Sequence, residues 1–164
     1  MIHHLSIAVR EPARVASALA ELIGGASVAF PPNPGSYWAL QRDPHGTGIE
    51  IYPAGTTLEP DGDRGVAFAS DPQQRSGYVG HHFAISVPTP RDEVTAIADR
   101  EGWQYHECMR GGFHVIEVWI ENEILIEVLP PEFAAEYLEV TRPERVVEHM
   151  ASVRRPPAQA SEED

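Results

Sequence analysis

The sequence predicts an α+β fold built from two copies of one β-α-β-β-β module, and two observations lead there. The segment Ile2-His3-His4-Leu5-Ser6-Ile7-Ala8-Val9 returns as Gly80-His81-His82-Phe83-Ala84-Ile85-Ser86-Val87, an offset of 78 residues. The segment Ile49-Glu50-Ile51-Tyr52-Pro53 returns as Ile126-Glu127-Val128-Leu129-Pro130, an offset of 77. What begins one copy and what ends it are therefore both repeated, with spacings that differ by one residue, 46 from His4 to Glu50 and 45 from His82 to Glu127.

The first module, assigned to residues 1–55, opens with large apolar residues at Leu5, Ile7 and Val9 and smaller or polar ones at His4, Ser6 and Ala8. This alternation is the mark of a half-buried strand. After Pro12 the stretch 13–23 is rich in alanine and leucine, places apolar residues at Val15, Ala18, Leu19, Leu22 and Ile23, and stops at Gly24-Gly25. It reads as an amphipathic helix with a glycine stop. Short strands are expected at 27–30, 37–41 and 48–52, separated by proline- and glycine-bearing turns.

The second module, assigned to residues 79–130, follows the same order. A strand at 82–87 leads past Pro90 into a helix over 91–100 that stops at Gly102, and strands follow at 103–108, 114–121 and 124–129. The last two are joined by a tight turn near Asn122-Glu123. Pro12 matches Pro90, Ala18 matches Ala96 and Gly24 matches Gly102, so the repeat extends through the helix. Between the modules, residues 56–78 are rich in Gly, Asp, Pro and Ser with one apolar patch at 66–68, and read as a linker able to cover part of a site. Residues 131–164 read as a C-terminal segment, helical over 132–150 with an interruption at Pro143, ending in a disordered tail over 154–164.

Composition narrows the function classes. The chain of 164 residues is 42% hydrophobic, ordinary for a globular protein, and carries a formal charge of −13 from 25 acidic and 12 basic residues. Such a balance opposes a general affinity for nucleic acid or anionic membrane. The single cysteine, Cys108, leaves no intramolecular disulfide, and no apolar run approaches a membrane span. A cytoplasmic protein with a small-molecule substrate, and neither nucleic-acid nor membrane partners, is expected.

Strand parity selects the candidate site. With Leu5, Ile7 and Val9 packed under the helix, His4 lies on the opposite face, and the same reasoning selects His82 over His81. Glu50 stands between Ile49 and Ile51, and Glu127 between Ile126 and Val128, so both carboxylates take that same non-helix face. A carboxylate between such apolar neighbours is costly unless exposed, paired or bound to a cation. Two imidazoles and two carboxylates suit a divalent transition ion, Zn, Ni, Co, Mn or Fe. Alternatively, each is a solvent-facing strand residue with no shared role.

Other positions are weaker candidates. Glu117 shares the face of Glu127 by alternation and is a candidate to support a ligand by hydrogen bonding or to transfer a proton, or else a solvated or salt-bridged strand residue. Trp119 and Tyr37 are candidates for the pocket wall. His45, His106, His114 and His149 fall in loops, near strand starts or in the tail and are not expected to be ligands. Cys108 has no base positioned beside it, and Gly111-Gly112 reads as a bend and not a phosphate loop.

Over residues 1–130 the repeated His-apolar-x-Ile-x-Val opening, the Ile-Glu-Ile/Val endings and the duplicated β-α-β-β-β order resemble the vicinal oxygen chelate superfamily. That group contains glyoxalase I, methylmalonyl-CoA epimerase, fosfomycin resistance proteins, extradiol dioxygenases and bleomycin resistance proteins. The resemblance implies curved mixed sheets forming a metal-binding cup with the helices outside. Its glyoxalase branch has His, Glu, His and Glu in this order, which His4, Glu50, His82 and Glu127 match. It implies a homodimer, with the cup formed within one chain or between two. It also implies a metal-dependent lyase or isomerase acting on a small oxygenated metabolite by proton transfer next to a metal-bound carbonyl, with Glu127 or Glu50 as the catalytic base. The alternatives are a metal-free binding or antibiotic-resistance protein using the same cup, and an extradiol-type dioxygenase. Glu21-Leu22-Ile23 stands where glyoxalases commonly carry Phe-Tyr, so glutathione involvement is left open.

Overall fold

A computed structural model describes residues 3–61, 66–71, 73, 80–145 and 147. The first module runs β1 (His4–Val9), α1 (Pro12–Leu22), β2 (Ala26–Ala29), β3 (Tyr37–Leu40) and β4 (Gly48–Pro53). The second runs β7 (Phe83–Ser86), α2 (Arg91–Glu101), β8 (Gln104–Arg110), β9 (Phe113–Ile120) and β10 (Ile124–Leu129). Each forms a four-stranded mixed sheet, ordered β1-β4-β3-β2 in one and β7-β10-β9-β8 in the other. The repeat is thus one of topology as well as sequence. In both sheets the first and last strands pair in parallel, β1 with β4 and β7 with β10. That pairing requires a long crossover, which the helix and two intervening strands supply.

The helices end where the glycines predict. In α1 the amide of Gly24, at φ 62°, donates to the Glu21 carbonyl, and the amide of Gly25 to Ala20 at 2.7 Å. These are the two bonds of a Schellman ending. α2 carries Asp92 and Glu93 in its first turn and Arg100 in its last, and stops at Gly102 with φ 72°. Beneath the helices lies one core shared by both modules, with Ile7, Leu19, Ile49 and Ile51 from the first and Val94, Ile116, Ile126 and Val128 from the second. The strand positions among these are ones the alternation assigned to the helix side.

One expectation needs correction. Residues 56–78 do not form a plain linker. They hold a two-stranded antiparallel sheet of β5 (Thr56–Pro60) and β6 (Val66–Ser70). Phe68 on β6 reaches the rings of Phe30 and Tyr52, and this packing turns a segment of poor strand composition into strands. The tight turn joining β9 and β10 lies at 121–123, where expected, with Glu121 and Asn122 both left-handed at φ 51° and 60°. Consecutive left-handed residues supply the twist of a tight hairpin, here with three residues between the paired Ile120 and Ile124. The Glu121 carboxylate accepts the amides of Arg10 and Glu11, each at 2.7 Å, tying this turn to the start of α1. The C-terminal helix α3 spans Pro131–Val140, and after a break at 141–142 helix resumes at 143–145. The expected tail, 154–164, lies outside the described residues, as does His149. Among the described residues no helix is long and apolar enough to cross a membrane.

Candidate functional site

The register of β1 on β4 sets Ser6 opposite Glu50 and Ala8 opposite Tyr52, while β3 sets Trp38 opposite Glu50. Paired residues share a face, so His4, Ser6, Trp38, Glu50 and Tyr52 all project from the side of the sheet away from α1. Glu50 is 9% exposed. A carboxylate buried to that degree needs partners. One oxygen, Oε2, accepts from the Ser6 hydroxyl at 3.0 Å and from the Tyr52 hydroxyl. Ser6 Oγ also lies 3.2 Å from the Tyr52 hydroxyl. The other oxygen, Oε1, is 4.0 Å from His4 Nε2. The carboxylate is therefore divided, one oxygen tied to hydroxyls and the other turned to the imidazole. Burial first, then the bond to Glu50, pushes the Tyr52 hydroxyl up to about 12, so at neutral pH it stays protonated and donates.

Trp38 completes this half. Its ring meets His4 edge-on at 6.4 Å. Its Nε1 is buried without a hydrogen-bond partner and lies over Gly48, where a Cβ would come within 2.4 Å.

The second half is organised differently. Glu127 on β10 pairs with Ala84 and with Glu117, which in turn pairs with His106. Two carboxylates side by side on one face repel unless compensated. Arg110 supplies the compensation, its Nε and Nη2 lying 2.8 and 2.6 Å from Glu117 Oε1. Cys108 sits near this cluster with its thiol pushed up, by burial first and then by the Glu117 charge, and so is held away from the thiolate. His82 is exposed and immediately precedes β7.

Of the four metal-ligand candidates, His4 and Glu50 stand together. Among the described residues no group of three His, Cys, Asp or Glu side chains is placed to share an ion. Trp119 pairs with Gln104 and Leu125 on the Glu127 face, as alternation indicated. Tyr37 requires correction as a wall residue: it pairs with Ile51 and packs on the core, and its neighbour Trp38 takes the Glu50 face. A one-residue difference in register exchanges the two faces of a strand. His45 accepts, through its carbonyl, from His3 Nδ1 at 2.7 Å, and His114 is engaged by Glu136 and stacked on Phe133. Ser6, Tyr52, Trp38 and Arg110 are the site residues that sequence reasoning passed over. Ser6 and Tyr52 each stand two residues from a selected ligand, which is the parity signal that reveals them.

No family model matches the sequence, and no curated protein matches it. Solved structures do resemble it. The fosfomycin resistance protein FosX of Listeria monocytogenes, complexed with Mn(II) and sulfate, superposes with a TM-score of 0.53 at 15% identity, covering 91% of this chain and 96% of that one. A glyoxylase/bleomycin resistance protein/dioxygenase domain from Frankia sp. EAN1pec gives a TM-score of 0.51 at 13% identity, over 78% of this chain and 94% of that one. A glyoxalase family protein from Bacillus anthracis gives 0.50 at 16%, over 78% and 92%. At such identities the likeness speaks for the fold. The duplicated sheet order, the parallel first and last strands and these superpositions together give this chain the fold of the vicinal oxygen chelate superfamily.

Proposed function

We propose that the protein is a metal-dependent lyase or isomerase that moves a proton at a carbon next to a carbonyl of a small oxygenated metabolite. The observation that carries this reading is the divided Glu50 carboxylate, with Oε2 held by Ser6 and Tyr52 and Oε1 facing His4. The donor chemistry fits a divalent transition ion, with His4, Glu50, His82 and Glu127 as the residues to hold it. Since among the described residues no third such side chain joins His4 and Glu50, the reading includes a homodimer in which the second module of another copy completes the set. FosX of L. monocytogenes, of the same fold, is complexed with Mn(II).

A divalent ion at such a site supplies Lewis acidity that makes the neighbouring C–H easier to ionise. The chain's own residues do the rest. Glu50 presents one oxygen free of hydroxyl partners, the position from which a carboxylate takes a proton, and Tyr52 and Ser6 fix its plane. Glu127 is the second carboxylate available as base or ligand. The apolar strand neighbours Ile49 and Ile51, both buried, keep the carboxylate's surroundings dry on the core side.

The test is elemental analysis of purified protein supplied with metal, followed by incubation in deuterated water with hydroxyketones, 2-oxoaldehyde thiol adducts and acyl thioesters. About one ion per His4/Glu50/His82/Glu127 set, lost in His4→Ala and Glu127→Ala, with deuterium entering recovered substrate or product, is the expected result. Unchanged metal content in both variants contradicts it. Tight binding of a compound without metal or turnover favours the binding-protein alternative, and consumption of molecular oxygen favours the dioxygenase.

A further inference from the structure

The Glu50 face has an apolar half that proton transfer does not use. Trp38 lies there in register with Glu50 and with Val28, which is 43% exposed. The Phe30 ring meets Trp38 edge-on at 5.8 Å and Phe68 at 6.1 Å. Phe68, from the β5–β6 hairpin, meets Tyr52 at 5.5 Å, and its strand partner Leu58 is 53% exposed. Tyr52 therefore belongs to both halves, its hydroxyl on Glu50 and its ring on Phe68. The aromatic wall and the carboxylate are one continuous surface.

Charge says what this surface accepts. The sequence contains no lysine, and the strands of the first module contain no arginine. On the second module's face Arg110 is already engaged by Glu117, beside Glu127. Apart from a bound metal ion, an anionic ligand meets carboxylates here without a disengaged cation from these strands to receive it. A flat apolar group meets half-buried ring edges and an exposed valine, which suit edge-to-face packing.

We propose that the ligand of this site carries a neutral aromatic group seated against Phe30, Trp38 and Phe68, with its oxygens directed to His4 and Glu50. This rests on the reading of Glu50 and His4 as ligand-facing. The hairpin, through Phe68, is then the element that selects the ligand.

Calorimetric titration of the purified protein, with and without Mn(II), compares phenacyl alcohol with hydroxyacetone, which share a hydroxyketone and differ in the phenyl ring. Phenacyl alcohol binds at least ~10-fold more tightly in the parent. In Phe68→Ala, and independently in Phe30→Leu, that preference falls toward unity while Mn(II) and hydroxyacetone affinities hold. Equal affinity for the two ketones, a preference that survives both variants, or tighter binding of methylphosphonate than of phenacyl alcohol overturns the inference. Mn(II) binding with equal ketone affinities removes the aromatic seat alone, whereas aromatic preference without Mn(II) binding removes the metal reading alone. If Phe68→Ala weakens a dimer and leaves ketone preference unchanged, a second copy occupies the wall and the inference fails.

Discussion

Glu50 shows how a single position acquires chemistry from its neighbours. Its burial between Ile49 and Ile51 excludes water, and the bonds from Ser6 and Tyr52 orient what remains. Removing either hydroxyl leaves the carboxylate buried but free to turn. We expect Tyr52→Phe and Ser6→Ala each to weaken Mn(II) binding by ~10–100-fold, measured by competition with a chelating dye. Unaltered affinity in both would show that the hydroxyls only fill hydrogen-bonding capacity. The two glutamates are expected to be unequal. Changed to Gln, the one that only binds metal lowers occupancy, whereas the base loses turnover by ~100-fold or more at retained occupancy. At this scale the sequence was legible wherever flanking residues alternate cleanly, as around Glu50 and Glu127. In Tyr37-Trp38 two aromatics are adjacent, so alternation gives no way to choose between them, and register alone puts Trp38 on the open face.

Between the residue and the molecule, local backbone devices hold the elements that carry the site. Gly25 is one, for a Cβ there would come 1.8 Å from the Leu40 carbonyl oxygen. Gly25→Ala is expected to destabilise the protein by ~2–4 kcal/mol in urea unfolding, because the close approach of α1's end to β3 has no room to relax. The turn before β4 is another. The Asp43 carboxylate accepts from the Thr47 hydroxyl at 2.5 Å and from the amides of His45 and Thr47. The Thr47 hydroxyl foremost, with these amides, holds Asp43 down to about 2 from its ordinary 3.8. A carboxylate held low stabilises the fold above its unfolded value, and that contribution is lost as pH falls from about 4 toward 2. Asp43→Ala should therefore be less stable than the parent at neutral pH and converge on it near pH 2, followed by thermal unfolding across that range. The helix endings and most strands were legible because glycine stops and alternation are local signals. The β5–β6 hairpin was not, since Phe68 becomes a strand residue by meeting Phe30 and Tyr52, contacts set by the folded first module.

For the whole molecule, duplication explains both what is present and what is incomplete. The modules are fastened through their helices and turns. Glu121 holds the start of α1, Arg14 Nε donates to Glu101 at 2.7 Å, and Thr89 Oγ1 donates to the Leu22 carbonyl at 2.7 Å. Glu121→Ala removes two charge-assisted bonds to backbone amides while keeping a left-handed turn that alanine tolerates poorly, so a loss of ~1–3 kcal/mol is expected in urea unfolding. With the modules so fastened, His4 and Glu50 meet and no third ligand joins them among the described residues. The repeat made the four candidate ligands legible, but how modules associate depends on surfaces that a strand pattern does not encode. The most direct test of a site shared between copies is to unfold and refold together two inactive chains, His4→Ala/Glu50→Ala and His82→Ala/Glu127→Ala, and measure bound metal. In a mixed dimer one site inherits all four ligands and the other none, so the mixture should recover metal that neither variant binds alone, about a quarter of the parent's per chain on random pairing. No recovery in verified mixed dimers, or full metal retention by either variant alone, would contradict the account.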